Sequence, residues 1–130
     1  MNKQITTTAA ILGMLAVIAG AFGAHSLKAL LSAQDLDVWK TAVQYQFYHV
    51  LAMLLLAVLG KDGKLNVKAS YYLFLFGIIL FSGSLYLLSC RTALSWGLPI
   101  AVGIITPIGG LLFILGWFML FINALRSKNA

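Results

Sequence analysis

Carboxylates are almost missing from this chain: its 130 residues include three acidic side chains, Asp35, Asp37 and Asp62, and no glutamate. Paired-carboxylate acid–base chemistry therefore has nothing to rest on. No Ser/His/Asp order, glycine-rich phosphate loop or His-Glu-x-x-His helix occurs either, so no catalytic residue, cofactor or reaction is assigned. Cysteine is reduced to Cys90, which cannot close an intrachain disulfide. Charge of either sign is scarce: 9% of residues, where soluble domains carry about 25%. That scarcity excludes a water-soluble fold, a disordered chain and a charged coiled coil together.

What fills the space is apolar. Hydrophobic residues make up 62% of the chain, and the mean hydropathy is +0.97. Four runs free of Lys, Arg, Asp and Glu stand out, at about residues 5–27, 41–59, 70–90 and 98–125. Each can cross a hydrocarbon core of roughly 30 Å as a helix, and no room is left for a fifth. The expected fold is a single all-α domain, a four-helix transmembrane bundle filling residues 1–130 of a multi-pass protein of the cell inner membrane. The first run also carries signal-peptide elements, with Lys3 ahead of an apolar stretch and Ala19-Gly20-Ala21 as a cleavage-like site. Its apolar continuation through Ala24 and the three runs that follow favour a retained helix.

The connections carry further signals. Ser32 followed three residues later by Asp35 is a helix-opening pattern, and a helix from Ala33 to Leu59 would be about 40 Å long, so its first turns must lie outside the hydrocarbon, with Trp39 at headgroup level. Lys61-Asp62-Gly63-Lys64 reads as a solvated turn. The formal charge of +6 sits between and beyond the apolar runs, which suits anionic lipid headgroups and argues against nucleic acid. Lys3, Lys61, Lys64, Lys68, Arg126 and Lys128 fall on one side of the membrane and Lys28, Lys40 and Arg91 on the other, so both termini are expected in the cytoplasm.

Polar side chains within the runs are the candidates for function, because they are costly in lipid and face the bundle interior. Tyr45, Gln46 and His49 share one helical face. Ser82, Tyr86 and Ser89 form a second strip, with Gly83 and Ser84 allowing close helix approach. In the fourth run, Pro107 after Thr106 denies a hydrogen bond to the Gly103 carbonyl and predicts a kink, with Gly109 and Gly110 beyond it. By depth, His25, His49, Ser84, Tyr86 and Thr106 fall toward the outer leaflet, which predicts an outer-leaflet polar pocket for a small solute, ion or proton, with His49 as the titratable group. Beside it stands a structural reading, interhelical glue of about 0.6–2 kcal/mol per bond. His25, His49 and Cys90 lack local ligand spacing and a carboxylate, so no metal is assigned. Arg91 reads as a snorkelling anchor, and Tyr71, Tyr72, Trp96 and Trp117 as interfacial or packing aromatics.

Gly20-Ala21-Phe22-Gly23-Ala24-His25, Tyr45-Gln46-Phe47-Tyr48-His49, Phe81-Ser82-Gly83-Ser84-Leu85-Tyr86 and Thr106-Pro107-Ile108-Gly109-Gly110 with Gly116-Trp117 follow one another in this order. Together they resemble the family called domain of unknown function 423, whose animal relatives are known as transmembrane protein 256. The resemblance implies a small four-helix protein of the bacterial inner membrane with no assigned biochemical activity. It supports retention of the first run and matches His25, Tyr45, Gln46, His49, Ser82, Ser84, Tyr86, Thr106, Pro107 and Gly110. A binding or passage role is the leading expectation, in a homo-oligomer held by small-residue faces such as that of Gly20 on the first span. The rival from another class is a structural or assembly partner of a larger membrane complex.

Overall fold

The computed structural model describes residues 1–95, 97 and 99–127; Trp96, the start of the fourth apolar run at Leu98, and Lys128 lie outside them. Four long helices account for nearly all of it: α1 (Asn2–Leu30), α2 (Ala33–Leu59), α3 (Lys68–Cys90) and α4 (Ile100–Arg126). Each is long and apolar enough to cross a membrane, and no strand occurs among the described residues. The fold is the all-α four-helix bundle that the apolar runs require.

The joints follow local chemistry. Leu31 breaks α1 with an extended backbone, and the Ser32 hydroxyl accepts the Asp35 N–H at 3.1 Å, capping α2. At the second joint the Asn66 side chain accepts the Lys68 N–H, and Asn123 of α4 donates to the Asn66 carbonyl at 2.8 Å, tying the turn to the end of α4. Trp39, expected at headgroup level, has a second task. Its indole N–H donates to the Ala19 carbonyl at 2.8 Å, and its ring fills the notch at Gly23, where a Cβ would stand 2.6 Å from it. A partly buried donor needs a partner, and the first helix supplies one.

Neighbouring helices pack in chain order. α1 lies along α2, α2 along α3, and α3 along α4, so α2 and α3 form the middle pair, while α1 and α4 are not packed extensively on each other among the described residues. Close approach comes from glycines opposite bulky side chains: Gly13 faces Val50 and Gly20 faces Val43 between α1 and α2. Between α3 and α4, Gly77 faces Phe113, Gly116 faces Phe74, and Gly109 abuts the Phe81 backbone. Ile5, Ala9, Met53, Leu56, Phe74 and Phe113 belong to one buried core toward the end that carries the chain's start and the 60–67 turn. Two polar links also hold this half, Thr8 to Tyr71 (hydroxyl to hydroxyl, 2.9 Å) and the Ser70 hydroxyl donating to the Gly116 carbonyl (2.9 Å).

One feature has no counterpart in hydropathy. α3 widens over Ile78–Ser82 into a π-helical turn, the Gly83 N–H reaching the Ile78 carbonyl five residues back. Such single wide turns inside α-helices are frequent at functional positions. Here the turn brings Phe81 against Gly109 and lets the buried Ser82 hydroxyl donate to the Ala42 carbonyl at 2.7 Å.

Candidate functional site

Tyr45, Gln46 and His49 do face α3, but not one pocket. Successive helical residues differ by about 100°, so Gln46 leans toward α1 whereas Tyr45 and His49 lean toward α4. Gln46, 4% exposed, donates its amide to the Leu12 carbonyl at 2.8 Å and accepts the Tyr86 hydroxyl at 2.7 Å, joining three helices. Tyr86 is also packed on Trp39, with ring centroids 4.6 Å apart.

His49 is the centre of the other set. Its Nδ1–H donates to the Tyr45 carbonyl at 2.8 Å, and its Nε2 accepts the indole N–H of Trp117 at 3.0 Å. A carbonyl can only accept and an indole N–H can only donate, so the geometry fixes the Nδ1–H tautomer. The ring lies flat on Phe113, centroids 3.6 Å apart and planes within 9°, and edge-on to Phe74 at 5.2 Å. A proton arriving at Nε2 must expel the indole. Trp117 reads from sequence as a packing aromatic, because nothing local links it to a histidine 68 positions away; the fold makes it the partner of His49.

The remaining candidates separate further. Ser84 bonds Thr106 hydroxyl to hydroxyl across α3 and α4 and also donates to the Phe81 carbonyl. Because Thr106 is engaged there, no side chain among the described residues donates to the Gly103 carbonyl. His25 is exposed on α1, without a side-chain hydrogen bond among the described residues, and stands apart from the His49 set. A Cβ at Gly83 or Gly103 would meet nothing within 4 Å, and at Gly110 it would touch Phe81 only at ordinary distance; the tightest contacts fall at Gly23, Gly77, Gly109 and Gly116 between helices and at Gly60 against Val67 in the turn. No three His, Cys, Asp or Glu side chains among the described residues gather as metal ligands. No buried side-chain nitrogen or oxygen among them lacks a hydrogen-bond partner.

Two grooves flank the middle pair on opposite sides of α3. One, about 480 Å³, runs between α1 and α3 over Gln46, Trp39 and Tyr86 and is walled by Leu12, Leu15 and Phe22. The other, about 570 Å³, opens between α2 and α4 and is lined by Tyr45, His49, Phe81, Pro107, Gly110 and Trp117. Both are walled mainly by apolar side chains and face outward, toward the space that lipid occupies around a spanning bundle.

A four-span helical membrane protein whose few polar groups are spent on bonds between helices, with one histidine beside a lateral groove, is the class that fold and site define. Comparison with known proteins narrows it. The family model described as "Protein of unknown function (DUF423)" matches residues 19–110, and the chain belongs to that family. It is 44% identical to the UPF0382 membrane protein SSP2132 of Staphylococcus saprophyticus, over 95% of this chain and 98% of that one. It is 43% identical to the UPF0382 membrane protein YwdK of Bacillus subtilis, over 95% and 98%, and 36% identical to a UPF0382 membrane protein of Haemophilus influenzae, over 99% of both. No solved structure matches the chain. It is thus a small multi-pass membrane protein of a family without an assigned activity.

Proposed function

We propose that the protein is a binding module of the cell inner membrane whose site is the groove between α2 and α4 at His49. The observation that carries this reading is a hydrogen-bonded His49–Trp117 pair at the wall of a groove of about 570 Å³. Trp117 is 45% exposed, so a ligand with a hydrogen-bond donor can take its place on Nε2 without unpacking the core. Pro107, expected to bend α4, and Gly110 leave the groove wall low where the ligand enters. A small solute with one donor and an apolar body fits this lining best. Passage of an ion or proton fits less well: the helices carry no acidic side chain at depth, and the polar groups of Gln46, His49 and Ser84 are bonded in three separate sets.

The test is NMR of the imidazole nitrogens in nanodiscs. Binding at the groove requires the His49 Nε2 signal to shift when donor-bearing solutes are added, and to broaden with a relaxation agent of that size. A signal indifferent to the solutes and to both water-borne and lipid-borne agents would leave the pair as interhelical glue and defeat the proposal.

The assembly reading is favoured by the other groove. From Leu12 to Phe22 it extends about 15 Å, three turns of a helix, and Gln46 and Tyr86 at its floor would meet a polar residue of a partner's span. Stoichiometric co-purification of a second membrane protein, lost in Leu15→Trp, supports that reading; a chain that purifies without one counts against it.

A further inference from the structure

We infer that the end of the bundle bearing the 60–67 turn holds a binding site for one anionic phospholipid, independent of the His49 groove. Charge is distributed unevenly between the two ends. Lys3, Lys61, Lys64, Lys68 and Arg126 share one end with Asp62, whereas Lys28, Lys40 and Arg91 share the other with Asp35 and Asp37. On the more basic end, a cavity of about 800 Å³ lies between the turn and the last turns of α4. Its lining is two-toned in the manner of a lipid: Val58, Leu59, Leu65 and Leu120 form an apolar set, and Lys61 and Lys64, with Asp62 between them, a charged one. An acyl chain matches the first set and a phosphate the second.

The charged set is held in place. Asn123 and Ser127 of the α4 end donate to the carbonyls of Asn66 and Lys64, and Gly60 lets Val67 fold against the end of α2, so the lysines are presented by a braced turn. Lys64 already has an anionic neighbour, the Asp62 carboxylate at 3.7 Å, with both side chains well exposed. An incoming phosphate competes with that carboxylate, and loss of Asp62 is expected to tighten the site.

The experiment uses the whole chain, reconstituted from equimolar phosphatidylglycerol and phosphatidylcholine, released into mild detergent, and weighed intact with its retained lipids. The wild type is expected to keep one phosphatidylglycerol in preference to phosphatidylcholine. Lys61→Gln with Lys64→Gln should lower that preference by about fivefold per lysine. Lys28→Gln with Lys40→Gln, which removes the same charge from the other end, should leave it unchanged. Asp62→Asn should raise it, an outcome that a misfolded chain cannot give. Equal retention of the two lipids by the wild type, equal loss in the two double variants, or no gain in Asp62→Asn overturns the inference. Displacement of the lipid by inorganic phosphate at millimolar concentration would show a site for free phosphate and overturn the lipid assignment.

Discussion

At the scale of single residues, a hydrogen bond in lipid is worth less than its vacuum strength but cannot be replaced by water. The Trp117 indole and His49 Nε2 are such a pair. Trp117→Phe keeps the ring against Phe74 and removes the donor, so a loss of about 0.6–2 kcal/mol is expected in detergent unfolding, together with a changed Nε2 nitrogen shift. Glycines separate as sharply. A Cβ at Gly109 collides with the Phe81 backbone, which cannot swing aside, so Gly109→Ala should destabilise by about 1–3 kcal/mol. Gly103→Ala meets open space and gains helix propensity, so its unfolding free energy should stay level or rise by up to about 1 kcal/mol. The sequence showed that glycines cluster near Pro107 but not which of them touch. Gly109 and Gly110 differ by one position, and a turn of about 100° decides which one meets α3.

Among the elements, the helices were legible because length and hydropathy dictate them, and α2 begins at Ala33 because Ser32 with Asp35 is a capping chemistry that sequence displays. Ser32→Ala should cost about 1 kcal/mol, seen as a lower unfolding midpoint with unchanged span packing. The π-helical turn at Ile78–Ser82 was not legible, since Ile, Ile, Leu, Phe and Ser wind equally well either way and only the neighbours across the interface demand the wider turn. A π turn takes one residue more than an α turn. Deleting the exposed Ile79 should therefore let the segment close as α-helix while its flanks keep their present faces. Cysteines placed at Ser84 and Thr106, in a chain with Cys90→Ser, should cross-link with and without the deletion, whereas the Ser82-to-Ala42 bond should be lost. Failure of the cross-link only in the deleted chain would mean that the wide turn sets the register of everything after it.

For the whole molecule, the polar periodicity of each span says which face is inward but not which helix it meets, and this is why one expected pocket resolves into sets on opposite sides of α3. Of the small residues on α1 and α4, Gly20 faces Val43 and Gly116 faces Phe74 within the chain, whereas Gly103 stands open. Orientation is a separate matter that charge governs. Four consecutive spans put the chain's start, the 60–67 turn and the stretch that follows α4 on one side, where the sequence has six basic residues and one acid; the other side has three and two. Basic residues in short connections stay in the cytoplasm. In a Cys90→Ser background, a membrane-impermeant maleimide should therefore label Thr92→Cys in intact cells and Asp62→Cys only after the membrane is opened. Replacing Lys61, Lys64 and Lys68 by Gln removes three of the six basic side chains, leaves three against three and should yield a mixed population in which both cysteines are partly labelled from outside. If Asp62→Cys is labelled in intact cells without those replacements, the chain is inserted the other way up.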